Sequence, residues 1–229
     1  MNLKCLVIFF FLLIILMSNY SIGVCILGDC NVGKTTFSIN LTTGVFNKKS
    51  VSTIGLEFAV KIFNIIKNEK NYKIKWNIWD TAGQEFYRSL ISSYYRNGTV
   101  LIIMFDLSNY ETFKSVDFWL EELKKYGNGT KFIYLVGNKS DKYSRVPLNE
   151  INNICEINNI KFFNISIKND LGIENLLNNI NNDVLEYILD NNISRQDKKN
   201  ISITFSDVKL KFEKKDRDND CYSYSCCNI

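Results

Sequence analysis

The stretch Gly28-Asp29-Cys30-Asn31-Val32-Gly33-Lys34-Thr35 decides how this chain is read. It follows an apolar, β-branched run over 22–27 and opens onto residues 34–43, whose spacing is helical. A strand, a G-x-x-x-x-G-K-[ST] loop and a helix, in that order, make a phosphate-binding loop. In such a loop, successive backbone N–H groups curl around an anion at a helix N-terminus. Lys34 is placed to reach the β- and γ-phosphates, and the Thr35 hydroxyl to bind Mg²⁺. The candidate phosphate site is therefore Gly28, Asp29, Cys30, Asn31, Val32, Gly33, Lys34, Thr35 and Thr36. Asn31 stands where many such loops carry glycine, and asparagine tolerates left-handed backbone better than most residues. The plain alternative is a glycine turn before an ordinary helix. Taken alone, the loop points to a nucleoside triphosphate without naming the base.

Outward from the loop, apolar runs alternate with amphipathic stretches. Residues 22–27, 56–66, 72–79, 100–105, 132–136 and 161–165 read as strands, and 34–43, 111–126, 148–158 and 173–189 as helices. In the last of these, Ile173, Leu176, Leu177, Ile180, Val184, Leu185 and Ile188 mark one face. The strands at 56–66 and 72–79 flank an Asn-Glu-Lys-Asn turn and form a hairpin. The remaining alternation predicts an α/β fold: a six-stranded, mostly parallel sheet with helices on both faces. Ligands in such sheets bind at the carboxyl ends of the strands.

Two further motifs fall at those ends. Asp80 closes the hairpin's second strand in Asp80-Thr81-Ala82-Gly83-Gln84, 46 residues beyond Lys34. Its carboxylate can hold the Mg²⁺ shell through water, the Gly83 N–H can approach a γ-phosphate, and Gln84 can orient an attacking water. Asn138-Lys139-Ser140-Asp141 follows the strand at 132–136. An aspartate there can accept two hydrogen bonds from guanine N1–H and the 2-amino group, a donor pair that adenine lacks. Left unmet in a buried site, that carboxylate would cost several kcal/mol. In an asparagine- and lysine-rich chain Asn-Lys-x-Asp occurs by chance. Its weight comes from following a strand, with the two earlier motifs in order.

Composition sets the outer bounds. The 229 residues suit one ordinary domain with a tail, or two small domains at most. With no histidine, the chain cannot build a Ser-His-Asp triad, a Cys-His nucleophile pair or a histidine-ligated zinc site. Seven cysteines without a CxxC pair argue against a disulfide framework or an all-cysteine zinc site. A net charge of +4 is too mild to argue for nucleic acid, and no nucleic-acid partner is expected.

Taken together, the three nucleotide motifs resemble those of the Ras-like small GTPases, over roughly residues 20–190. Several stretches are similar specifically to the Rab branch, which directs vesicle traffic. These are Ser52-Thr53-Ile54-Gly55-Leu56-Glu57-Phe58, the strand Lys73-Ile74-Lys75-Trp76-Asn77-Ile78-Trp79, Glu85-Phe86-Tyr87-Arg88-Ser89-Leu90 and Ser92-Ser93-Tyr94-Tyr95-Arg96. The resemblance implies a P-loop NTPase G domain in which Thr53 joins Mg²⁺ and meets the γ-phosphate through its N–H. It implies that Phe46 packs across the guanine. It also implies an effector surface of Ile54, Phe58, Trp79 and Tyr94, where core packing is the plain alternative for the aromatic residues. Ser166-Ile167-Lys168 stands where the family has Ser-Ala-Lys, and the Ile167 backbone N–H is implied to meet the guanine carbonyl. Cys30 replaces a small residue beside the γ-phosphate. The catalytic set implied is Lys34, Thr53, Gly83 and Gln84, with Mg²⁺ held by Thr35, Thr53 and, through water, Asp80.

The ends add two expectations. The chain finishes Cys226-Cys227-Asn228-Ile229, resembling paired-cysteine endings that are geranylgeranylated. Prenylation of Cys226 alone as a Cys-a-a-X box is the second choice, and two unmodified thiols the plain alternative. Two lipid chains anchor stably where one binds marginally. Residues 191–229 are expected to form a flexible tail. At the other end, Leu6–Met17 is an unbroken apolar run of twelve residues, short of the ~20 needed to span a bilayer. Residues 1–19 are thus an apolar extension: signal-like, an anchor, or a mispredicted start. The cytoplasmic face of an intracellular membrane is favoured over a secreted or anchored form, because the other motifs require cytosolic nucleotide and prenyltransferase.

The expected partners are an exchange factor, a GTPase-activating protein, a GDP-dissociation inhibitor or escort protein, effectors at the switch regions, and membrane through the prenyl groups. Slow intrinsic hydrolysis is expected, since no arginine is evidently supplied in cis. The competing functions are a guanine-nucleotide-binding scaffold with negligible hydrolysis, a Ras-like signalling switch, and a P-loop ATPase or kinase.

Overall fold

In the computed structural model, residues 18–46, 56–81, 98–126 and 130–191 are described. The apolar run Leu6–Met17 and the tail beyond 191 lie outside the described residues. Six strands form one sheet: β1 (Ser18–Leu27), β2 (Leu56–Lys67), β3 (Lys70–Thr81), β4 (Val100–Asp106), β5 (Phe132–Asn138) and β6 (Lys161–Asn164). Their order is β2-β3-β1-β4-β5-β6. The β2–β3 pair is antiparallel and every other pair is parallel, as the alternation of runs predicts.

β1 lies between β3 and β4, so both of its edges are paired. Ile22, Val24 and Ile26 enter one apolar cluster, while Cys25 and Leu27 enter the other. Burial on both faces is why this strand, like β4, reads as a continuous apolar run. The Cys25 thiol is fully buried there, and burial, then the charge of Asp80, push its pKa far above the ordinary value. Asn68 and Glu69 link β2 to β3 with φ of 51° and 61°. Two consecutive left-handed residues give the turn twist that matches an antiparallel hairpin.

Each face carries helices. α1 (Lys34–Thr43) and α4 (Ile173–Asp190) cover one, contributing Phe37, Leu41, Leu176, Ile180 and Val184 to its cluster. α2 (Tyr110–Tyr126) and α3 (Leu148–Asn158) cover the other through Phe113, Val116, Trp119, Leu120, Leu123 and Ile151. Of the seven α4 residues marked by periodicity, six are buried and Leu177 is partly buried against the same cluster. α4 is also fixed by a polar bond inside the core: the buried Trp76 indole N–H donates to Asn181 Oδ1 at 2.9 Å.

All six strands differ in their limits from the sequence reading: β2, β4 and β5 run one or two residues further at their ends, and the other three differ as follows. β1 begins at Ser18, because its polar start pairs with β3 in register from Ser18 opposite Tyr72, and Asn77 Nδ2 donates to Ser21 Oγ at 2.9 Å. β3 runs on to Thr81, so Asp80 sits within the strand instead of closing it. β6 stops at Asn164. Among the described residues, no helix is long and apolar enough to cross a membrane.

Candidate functional site

The loop after β1 turns under geometric constraints that explain its two glycines. Gly28 has φ of 135°, and a Cβ there would stand 2.1 Å from the Met104 carbonyl oxygen of β4. Gly33, the N-cap of α1, has φ of 107°, and its Cβ would lie 2.3 Å from Asn138 Nδ2. Between them Asn31 adopts φ of 62°, in keeping with asparagine's tolerance of that region. Phe37 N–H donates to the Gly33 carbonyl at 2.8 Å to start the helix. The first N–H groups of α1 thus face the loop.

Lys34 is 5% exposed, and its ammonium donates to the carbonyls of Gly28 at 2.9 Å and Asp29 at 2.7 Å. Burial lowers its pKa, while Asp80, Cys30 and Asp29 act in the opposite direction. Cys30 itself is exposed at the loop's tip.

Asp80 is fully buried opposite this loop. Neither of its oxygens accepts a hydrogen bond of good geometry. Burial raises its carboxyl to about 6, although the Thr35 hydroxyl and the Lys34 charge both favour the ionised form. A buried carboxylate left short of donors beside a threonine hydroxyl suits a hard divalent cation, which takes oxygen ligands and keeps part of its water shell. These residues therefore fit Mg²⁺. Thr81 Oγ1 donates to the Ile26 carbonyl at 2.7 Å, locking β3 against β1 at this point.

The end of β5 and the loop after it bring the Asn-Lys-x-Asp motif to the same carboxyl ends of the strands. Asn138, 3% exposed, donates from Nδ2 to the Val32 carbonyl at 2.8 Å and accepts at Oδ1 from the Ile167 N–H at 3.3 Å. It thus ties the phosphate loop to the segment after β6, a role that the linear motif did not reveal. Lys139, at φ of 65°, directs its ammonium to the Asn31 carbonyl at 2.7 Å and to Asp106 Oδ2 at 2.7 Å. Asp141 Oδ1 accepts from the Ser166 hydroxyl at 2.6 Å. That bond, foremost, holds the Asp141 carboxyl below the usual carboxylate range. Lys168 Nζ stands 3.7 Å from Asp141 Oδ2 on a largely exposed side chain, a contact worth little. The Ile167 side chain is 2% exposed and belongs to the core beneath the loop. Its extra bulk over alanine therefore turns inward.

Other expected site residues are dispersed or lie elsewhere in the chain. Thr36 is half-buried in the first turn of α1, and Phe46 is exposed beyond that helix. Phe58 is exposed on β2, with its ring 5.8 Å from that of Trp79. Trp79 is itself buried, so it supports Phe58 from below. Thr53, Ile54, Gly83, Gln84, Tyr94, Cys226 and Cys227 lie outside the described residues.

Known proteins are similar to this chain in sequence. A family model described as the Ras family covers residues 23–186. Ras-related protein Rab-19 of Mus musculus and that of Rattus norvegicus are each 40% identical over 127 residues, which is 56% of this chain and 57% of either relative. The match thus spans less than two thirds of those two proteins. Ras-related protein rab-11.1 of Caenorhabditis elegans is 36% identical over 164 residues, covering 71% of this chain and 76% of its own length.

Proposed function

The chain belongs to the Ras family, and on that premise we propose that it is a Rab-like small GTPase, switching between GTP and GDP forms to regulate intracellular membrane traffic. The observation that carries this reading is the bond from Asn138 Nδ2 to the Val32 carbonyl, which fastens the base-reading loop to the phosphate loop. A nucleotide held at one loop then meets the other. Relatives named as Rab proteins support the trafficking assignment.

In the proposed mechanism, the α1 N-terminus and Lys34 bind the phosphates, and Asp141 reads guanine. Thr35, Thr53 and, through water, Asp80 would hold Mg²⁺, which would supply positive charge at the phosphates. Gln84 orients a water whose oxygen attacks the γ-phosphorus. The bond from that phosphorus to the bridging oxygen breaks, leaving GDP and inorganic phosphate. Thr53 and Gly83 contact the γ-phosphate before hydrolysis and release it afterwards, and this ordering and release is the switch. Turnover is slow without an activating partner that donates an arginine. An exchange factor, a GDP-dissociation inhibitor and effectors at Ile54, Phe58, Trp79 and Tyr94 complete the cycle, on membrane reached through prenyl groups at Cys226 and Cys227.

Competition of GTP, GDP and ATP for the purified protein, with phosphate release followed in a single turnover, tests the reading. GTP and GDP should compete while ATP does not, and phosphate release should be slow in wild type and slower still in Gln84→Leu. Equal competition by ATP overturns the guanine assignment. Binding of GTP with no phosphate release, even with a family activating protein, leaves the scaffold function instead. Unchanged hydrolysis in Gln84→Leu removes that residue from the mechanism.

A further inference from the structure

Asp106, at the end of β4, belongs to none of the three nucleotide motifs, yet its contacts reach two of them. Its Oδ2 accepts from Lys139 Nζ at 2.7 Å, and that ammonium also donates to the Asn31 carbonyl at 2.7 Å. Its other oxygen, Oδ1, accepts from the Ser108 N–H at 2.9 Å and the Ser108 hydroxyl at 2.7 Å. The backbone is held as well: Asp106 N–H donates to Thr112 Oγ1 at 3.0 Å. The Asp106 side chain is 10% exposed and that of Lys139 28%. The pair is therefore partly withdrawn from water, and its charge-assisted bond is stronger than a surface ion pair.

We infer that Asp106 is a positioning residue for the nucleotide: it fixes the Lys139 ammonium, and through it the Asn31 carbonyl of the phosphate loop. With its ammonium anchored at the far end, Lys139 keeps its methylene stem extended between the loops after β1 and β5, where a purine would lie against it. Asp106 thereby joins the ends of β1, β4 and β5 around the bound nucleotide. Ser108 orients the carboxylate so that Oδ2 is left for the lysine. The inference rests on the guanine-nucleotide reading of the site.

Asparagine at 106 separates the two halves of this arrangement. Its carbonyl oxygen can still serve the Ser108 donors, but its NH₂ then faces the ammonium, donor against donor. The test follows release of a fluorescent GDP analogue from the full chain in excess Mg²⁺, for wild type, Asp106→Asn, Lys139→Ala and the double variant. Asp106→Asn should release the analogue roughly tenfold faster than wild type, a change within the usual range for directly coupled charged groups. If Asp106 acts through Lys139, Asp106→Asn adds nothing in the Lys139→Ala background, whereas a merely structural role accelerates release equally in both. An unchanged rate in Asp106→Asn, or full acceleration in the double variant, overturns the inference while wild-type binding keeps the nucleotide reading intact. Failure of wild type to bind the analogue overturns both. Should Asp106→Asn fold poorly, Ser108→Ala provides the second arm: it should give a smaller acceleration that is likewise absent without Lys139, and no acceleration overturns the inference.

Discussion

At the scale of single residues, the charged groups around the site divide by what surrounds them. Asp80 is buried without adequate donors and its carboxyl rises, whereas Asp106 and Asp141 are hydrogen-bonded and theirs fall. For Asp106, burial works against the shift, but the bonds from Lys139 and Ser108 outweigh it. A carboxyl depressed in the folded state contributes stability that is complete above its unfolded pKa of about 3.9 and is lost as pH falls through the lower folded value. The urea midpoint of wild type should therefore exceed that of Asp106→Asn at pH 7, and the gap should close as the pH is taken below about 4. A gap that stays constant down to the acid transition would show that the ion pair adds nothing to stability. Asp80 and Lys34 could be singled out from the sequence because motif spacing marks them, and the fold buries them close enough for their charges to interact. Asp106 could not be, since an aspartate ending an apolar strand looks like any residue that starts a turn. Only the fold brings it within reach of Lys139, 33 residues later.

Whole elements were read more evenly than individual contacts. Helices α1 and α3 have the limits that their periodicity predicts, and α2 and α4 differ by one residue at one end. The polar beginning of β1 was hidden because its pairing partner, β3, is more than fifty residues away and hydropathy reports only burial. Long-range pairing also explains Asn181. Its spacing, four residues after Leu177 and four before Leu185, falls within α4's apolar arc, but a polar amide carries no hydropathy signal. It is 4% exposed and accepts the Trp76 indole bond. Asn181→Ala leaves that indole N–H buried without an acceptor. It should cost about 1–3 kcal/mol in unfolding free energy, read from urea denaturation monitored by tryptophan fluorescence. Asn181→Leu, which also removes the acceptor but refills the volume, should recover little of that loss. If both variants match wild type, water satisfies the indole and α4 is held by apolar packing alone.

For the molecule as a whole, the candidate site is assembled at the carboxyl ends of the strands from the end of β3 and the loops that follow β1, β5 and β6, so a ligand there bridges segments far apart in the chain. Anything that binds the native state alone raises its stability by mass action. GDP with Mg²⁺ at a hundred times its dissociation constant should add about 2.7 kcal/mol. The melting temperature should rise by several degrees with GDP and stay level with ADP. Chelation of Mg²⁺ should reverse part of the gain if Asp80 and Thr35 hold the ion. The same breadth gives Cys25 an unexpected use. Its thiol lies in the central strand between both apolar clusters, with its ionisation suppressed by burial and by Asp80. Alkylating reagents attack thiolates, so this sulfur is silent while the sheet is closed. Each modified Cys25 counted by peptide mass spectrometry then records one opening of the domain's centre, and the chain carries its own clock for rare excursions from the native state, one that a bound nucleotide should slow.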